Sequence, residues 1–248
     1  MSLARKIRCT VSAIAAHGGG VYTVDLTPSG ILPPFRPGQF AHLTVDAYDP
    51  SSFWPESRVF SIASSPAEKK RLRICYSVKG RYTTKMEQQL KVGGEVWVKM
   101  PYGEFFIDDK SDAVLLSGGT GVSAFTAFIE AMKPDMPKNV WLVYGARNPS
   151  LLLFREMIEG QLAKMANFHL IYFTEDQSTE LAAQVAGLAK PPACVSGRIS
   201  LDAVFQQVPD AAKKVFYLSG PPIMLNTLSA GLRQRGLPPE QIRMDAWE

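Results

Sequence analysis

Cysteine and histidine are scarce in this 248-residue chain, with three of each. Cys9, Cys75 and Cys194 lie far apart and form no CxxC pair, which excludes a disulfide framework and a four-cysteine iron–sulfur cluster built within these residues. His17, His42 and His169 are equally isolated, so no metal site is expected. Long apolar runs are missing too, and none reaches the roughly 18 residues that span a bilayer. The opening MSLARKIRCTVSAIAAHGGG is broken by Arg8 and by alternating polar positions. It reads as a first strand rather than a targeting block, and a cytoplasmic location is expected. Dense basic clusters in a recognisable nucleic-acid module are also lacking, which argues against a nucleic-acid partner.

What is there is the composition of a globular protein, 46% hydrophobic and 20% charged, long enough for one large domain or two ordinary ones. The net charge of +4 is unevenly spread. Ala67–Lys99 holds nine Lys/Arg against three Glu, a net of +6 that leaves −2 for the remainder. Such a stretch fits an acidic protein partner or a phosphorylated cofactor, and a solvated face is the plainer alternative.

The chain has two rhythms. Up to about residue 108, alternating runs recur at KIRCTVSAIAA, VYTVDLT, QFAHLTV, RVFSIAS, RLRICYSV and EVWVKMP, separated by Gly/Pro/Asp-rich turns. They predict a small closed antiparallel β-barrel of Greek-key type over 1–108, interrupted by one helix over Thr84–Leu90. From 109 to 248 the runs DAVLLSGG, NVWLVYGAR, NFHLIYFT and KVFYLSGPP are continuously apolar, as parallel strands buried on both faces require. Helical stretches SAFTAFIEAM, SLLLFREMIEGQLAKM and PIMLNTLSAGLRQRG alternate with them and predict a doubly wound α/β domain with a parallel sheet.

Three short stretches carry chemistry. SGGTGVSAF follows the first strand of the α/β half, where Gly118, Gly119 and Gly121 let the backbone approach a ligand and a helix beginning near Ser123 aims its N–H groups at an anion. It is not the GxGxxG fingerprint, and an ordinary βα turn is the alternative. YLSGPPIML ends a later strand at Gly220 and Pro221, and ligands of open α/β sheets sit at such carboxyl ends. RVFSIASSP sets an arginine, an aromatic ring and a serine within four residues of one strand, which an edge strand with a solvated arginine would also explain.

Taken in order, RVFSIASSP, GRYTTKM, PYGEFF, SGGTGVSAF, YGARNPSLLLFREM, SGRI and YLSGPPIM resemble the ferredoxin–NADP reductase family from about Lys6 to Trp247. The resemblance implies an FAD-binding barrel followed by an NAD(P)-binding domain. Arg58 would pair with a flavin phosphate, Val59 would flank it, Phe60 would lie against the isoalloxazine, and Ser61 would hydrogen-bond near flavin N5. Many members have tyrosine where Phe60 stands. Tyr76, Ser77 and Val78 would border the flavin. Gly80 would permit a phosphate turn in which Thr83 and Thr84 present hydroxyl and N–H groups; without the resemblance these threonines are simply helix N-caps.

In the second domain, Gly118, Gly119, Thr120 and Gly121 would hold the dinucleotide pyrophosphate, and Gly220, Pro221 and Met224 would border the nicotinamide. Ser219 stands where most members have cysteine. Arg147 would reach the adenosine side, while Trp247 would cover the flavin face with Glu248 as a proton relay. Ser61, Ser219, Trp247 and Glu248 are thus the expected catalytic set. After NFHLIYFT, where NADP-using members carry serine and basic residues, this chain has Glu175 and Asp176, which favours NADH over NADPH; capping of the next helix is the alternative role. The expected activity is FAD-dependent oxidation of NAD(P)H, with electrons passed to a separate acceptor: an acidic protein such as a ferredoxin, a flavodoxin or an oxygenase component, or free flavin or ferric complexes. An FAD-binding subunit active only inside a complex is the second reading, and a nucleotide-binding protein without flavin the third.

Overall fold

The computed structural model describes residues 3–108 and 110–245. These fall into two compact units, one running to Phe106 and including Ser123–Ala131, the other made of Ile107–Val122 and Met132 onward.

The first unit is built from β1 (Arg5–Ala16), β2 (Val21–Pro28), β3 (Phe40–Thr44), β4 (Arg58–Ser61), β5 (Leu72–Ser77) and β6 (Glu95–Tyr102). All neighbours are antiparallel, in the order β4-β3-β6-β1-β2-β5. The two edges approach where Ala63, just past β4, donates its N–H to Arg73 O on β5 at 2.8 Å, so the sheet nearly closes on itself. Inward-facing Val24, Leu26, Leu43, Ile74, Val98 and Met100 are fully buried and form its core. Helix α1 (Arg81–Gln89) adds Tyr82 and Met86 to that core.

Helix α1 starts three residues before the expected Thr84. Gly80, extended at φ −170°, is its N-cap, and Thr83 Oγ1 accepts the Gly80 N–H at 3.1 Å. Thr83 and Thr84 therefore lie inside the helix and neither is its N-cap, but Thr83 helps to cap it from the third position by accepting the N-cap N–H.

The second unit carries a six-stranded parallel sheet in the order β10-β9-β8-β7-β11-β12. Its strands are β7 (Ala113–Gly118), β8 (Val140–Ala146), β9 (Phe168–Thr174), β10 (Ala193–Ser196), β11 (Val215–Ser219) and β12 (Ile242–Met244). Every residue of β7 is buried, as a central parallel strand demands. The helices are α2 (Ser123–Ala131, grouped with the first unit), α3 (Arg155–Lys164), α4 (Ser178–Val185), α5 (Leu201–Gln207) and α6 (Pro222–Gln234).

One expected helix is broken. SLLLFREM does not continue a single helix: a 3₁₀ turn over Pro149–Leu151 ends, Leu152 and Leu153 bury, and Phe154 adopts a left-handed φ of 58° before α3. Buried Tyr144 holds this turn, its hydroxyl accepting Leu153 N–H at 2.8 Å. The leucines anchor a loop to the sheet, a role that their apolar run does not distinguish from a helix.

Candidate functional site

The expected site residues form one cluster in the first unit and two in the second. In the barrel, β4 sets Arg58 outward while Ser61, three residues on, is buried. The Arg58 guanidinium donates to Ser57 O at 2.9 Å and to Glu56 Oε1 at 3.2 Å, and it lies over the Tyr82 ring at 4.8 Å. The same Glu56 oxygen accepts from Arg81 Nη2 at 2.7 Å. Two guanidiniums thus share one carboxylate oxygen and leave a surplus positive charge at the start of α1. Phe60 is half-buried and meets Tyr76 edge-on at 6.2 Å, while Tyr76 stacks on Tyr22 at 5.2 Å. Val59 on β4, Ser77 at the end of β5 and Val78 just after it are likewise half-buried.

The GRYTT turn differs in detail from expectation. Thr83 Oγ1 accepts from Lys79 N–H at 2.9 Å and from Gly80 N–H, and donates to Gly80 O at 3.1 Å, so its hydroxyl is consumed inside the turn. The Thr84 N–H is also engaged, donating to Gly80 O at 3.0 Å. Gly80 needs no special backbone, because its extended φ suits any residue. A Cβ there would meet nothing within 4 Å, so open space lies beside the arginines. A flavin diphosphate fits this surplus charge and open turn. Arg81, inside GRYTT, and Glu56, two residues before Arg58, are the charged groups at this turn, and sequence reading named neither as a site residue.

In the second unit the chain turns from β7 to β8 on one side and later fills β11 on the other, so the topological switch point lies between β7 and β11. Both glycine-rich strand ends meet there, with Ser117 and Ser219 in register. A Cβ on Gly121 would lie 2.4 Å from Ser219 O, and one on Gly118 would lie 2.5 Å from Met224 Sδ. Gly220 has φ +156°, and its Cβ would come within 2.7 Å of Met224 Cε. These glycines let the two strand ends and the first turn of α6, entered through Pro221, pack without side chains between them. Gly119, at φ +54°, and Thr120 form the 3₁₀ turn before α2.

Ser219 Oγ donates to Asp245 Oδ2 at 2.9 Å, with Ser219 only 3% and Asp245 only 5% exposed. Neighbouring Ser117 is fully buried, and its Oγ has no hydrogen-bond partner among the described residues, which leaves a polar atom at the switch point. Asp245 was missed by sequence reading, since one carboxylate after a three-residue strand gives no pattern. Trp247 and Glu248 lie outside the described residues.

At the far strand ends, Arg147 follows β8, Glu175 and Asp176 follow β9, and Arg198 follows β10. Glu175 pairs with Arg198 at 2.9 Å, and Asp176 N–H donates to Arg147 O at 2.8 Å. Neither acid caps a helix, because Gln177 is the N-cap of α4. Glu175 is therefore charge-compensated, while Asp176 and Arg147 are exposed.

Among the described residues no group of His, Cys, Asp and Glu could hold a metal ion, and no helix is long and apolar enough to cross a membrane. Cys9 and Cys75 are buried, and burial pushes both thiols up to about 12, which makes them inert.

Residues 115–230 match the model of the oxidoreductase NAD-binding domain. The chain is 30% identical over 143 residues to the reductase component of phenol 2-monooxygenase from Pseudomonas sp. (strain CF600), a match covering 56% of this chain and 39% of that protein. It is 25% identical over 192 residues to the NAD(P)H-flavin reductase of Vibrio harveyi, covering 73% of this chain and 78% of that one. In fold it is similar to the crystal structure of an Amycolatopsis cytochrome P450 reductase, with a TM-score of 0.79, 23% identity, and coverage of 99% of this chain and 70% of that chain. The chain spans from about a third to about half of the length of the phenol hydroxylase and flavohemoprotein relatives it matches.

Proposed function

We propose that the chain is a ferredoxin reductase-like oxidoreductase, an FAD-dependent NAD(P)H reductase that hands electrons to a separate acceptor. We assign FAD to residues 1–108 and the nicotinamide dinucleotide to residues 109–248. One observation carries this reading: a single chain holds both a guanidinium-rich strand end on an antiparallel barrel and a glycine-lined switch point on a parallel sheet. When bound, FAD supplies the chemistry of accepting hydride from a nicotinamide and releasing electrons singly.

The protein's own residues bind and orient. Arg58 offers a planar fork to a flavin phosphate, a charge-assisted contact stronger than a neutral hydrogen bond. Phe60 and Tyr76 give the ring system an aromatic surface, for which the tyrosine hydroxyl missing at Phe60 is not needed. Gly118, Gly121 and Gly220 keep the two strand ends close, and Gly119, open on its Cβ side, lets backbone approach the dinucleotide pyrophosphate. Ser219 takes the place of the family's cysteine beside the nicotinamide.

The acceptor is proposed to be an acidic protein that docks on the barrel. Of the nine basic residues in Ala67–Lys99, Arg71, Arg73, Arg81 and Lys85 already face Glu68, Asp25, Glu56 and Asp46. Exposed Lys69 and Lys70, before β5, are the proposed contacts. Relatives of this chain are named as oxygenase reductase components and as a flavin reductase, so both acceptor classes belong in the test.

The test is to release the cofactor with acid, identify it by chromatography, and then assay NADH oxidation against a panel of protein and small-molecule acceptors. FAD and steady turnover are expected. A yellow protein inert to NADH and NADPH with every acceptor would favour a subunit active only in a complex, and a preparation that binds no flavin would overturn the reading.

A further inference from the structure

Glu56 stands in an unusual position for an acid. It precedes the strand that carries Arg58, and its Oε1 is within hydrogen-bonding distance of both Arg58 Nη2, at 3.2 Å, and Arg81 Nη2, at 2.7 Å. Arg81 is 81% exposed and Arg58 46% exposed in side chain, against 34% for Glu56. Ion pairs this exposed contribute little to stability, so the carboxylate can be displaced at low cost. The Arg58 guanidinium, by contrast, has further partners in the Tyr82 ring and Ser57 O, while Arg81 reaches the same carboxylate from the exposed start of α1. Tyr82, buried in the barrel, puts its ring under Arg58, donates its hydroxyl to Glu56 O at 3.0 Å, and accepts Val45 N–H at 3.2 Å. One buried residue therefore supports both the Arg58 guanidinium and the backbone that carries Glu56.

We propose that Arg58 and Arg81 form a two-arginine clamp for the diphosphate of a dinucleotide flavin, and that the Glu56 carboxylate occupies this clamp in the free protein and competes with the diphosphate for it. The inference rests on the flavin reading above and adds to it a second phosphate-binding residue and an internal competitor. A carboxylate oxygen and a phosphate oxygen are alternative acceptors for the same forks. A diphosphate brings two charged phosphate groups, one for each guanidinium, whereas Glu56 brings one charge for both. Exchange of the carboxylate for the diphosphate thus gains an anion without adding a cation. Arg81 contributes to dinucleotide flavin more than to mononucleotide flavin, because only the former supplies the second phosphate.

The experiment is flavin titration of the deflavinated full chain, followed by quenching of flavin fluorescence, with FAD, FMN and inorganic pyrophosphate as probes. Arg81→Gln is expected to weaken FAD about tenfold and FMN less than threefold, and Glu56→Gln to tighten FAD severalfold. Pyrophosphate should compete with FAD in the wild type and lose that effect in Arg81→Gln. Wild-type FAD affinity in Arg81→Gln, with a large loss in Arg58→Gln, would overturn the clamp while leaving the flavin assignment standing. Weaker FAD binding in Glu56→Gln would overturn the competitor role. Flavin binding by none of these proteins, wild type included, would instead count against the flavin reading itself. Thermal melts of the unliganded variants check folding, and Arg81→Lys, which keeps the charge but loses the fork, serves as the conservative arm. It should fall between wild type and Arg81→Gln.

Discussion

Ser219 and Asp245 are joined by a buried hydrogen bond of 2.9 Å at the carboxyl ends of two neighbouring parallel strands. A hydroxyl that donates to a carboxylate keeps its own lone pairs for a ligand. This gives the serine a fixed orientation that a freely rotating hydroxyl lacks. Ser219→Ala removes the donor from a buried carboxylate and should cost about 1.5–3 kcal/mol of stability. Ser219→Cys, which keeps a weaker S–H donor at the same place, should cost less. Urea unfolding of the three proteins measures both, and equal stability of wild type and Ser219→Ala would remove the bond from the account.

Gly121 is a second place where the switch point has no slack. A Cβ there would sit 2.4 Å from the Ser219 carbonyl oxygen, which is backbone and cannot rotate away. Gly121→Ala must separate two strand ends, and we expect roughly 1–3 kcal/mol of destabilisation together with a raised KM for the nicotinamide substrate. Flavin content should be unchanged. An unaltered KM would show that the close approach of these strand ends does not shape the site.

Cofactor choice follows from the strand ends on the other side. Arg198 compensates Glu175, so the repulsion of a 2′-phosphate falls chiefly to Asp176, and exposed Arg147 opposes it. A preference for NADH of a few-fold is expected, on the order of 1 kcal/mol. Asp176→Asn should narrow the kcat/KM ratio toward NADPH. A wild-type ratio at or above unity in favour of NADPH refutes the proposal.

Much of this was legible in the sequence because periodicity reports burial. The alternation of VYTVDLT and the continuous run of AVLLSG distinguish a barrel strand from a central parallel strand, and both are found as such. Short, half-exposed elements escape that signal: ACVS of β10 is four residues at a sheet edge, and IRM of β12 is three. The apolar LLL run was misread as helix because core-anchored loops and buried helices share the same composition. At the site, the glycines were legible because close approach demands a missing side chain. The partnerships of Glu56 with Arg81 and of Asp245 with Ser219 were not, since each joins residues 25 or more positions apart.

Acid should destabilise the protein through its histidines before its carboxylates titrate. His17, His42 and His169 all lie below the ordinary histidine value of 6.5, first because partial burial disfavours the imidazolium. Lys99 adds to this at His42, and Lys190 and Lys214 add to it at His169, where Asp112 opposes them. The unfolded chain therefore binds protons more readily between 6.5 and the folded values. Stability is fully present above 6.5 and is lost as the pH falls through the folded values. Melting temperatures taken downward from neutral pH should decline in that window, and His42→Gln should flatten the decline. A melting temperature that holds steady or rises across it contradicts the assignment.

The acceptor face has its own test. If Lys69 and Lys70 steer an acidic protein, changing both to Glu should slow reduction of that protein about tenfold at low salt and leave ferricyanide reduction within twofold. Raising the salt should shrink the difference. Equal rates with the protein acceptor would move docking elsewhere.

The central claim is that one chain joins a flavin to a nicotinamide donor. Its most direct measurement is anaerobic mixing of the FAD-loaded protein with NADH while the flavin absorbance is followed. The account predicts that the yellow colour bleaches on addition of about one equivalent of NADH per bound FAD, with no other protein present. A flavin that stays oxidised with excess NADH and with excess NADPH would contradict it.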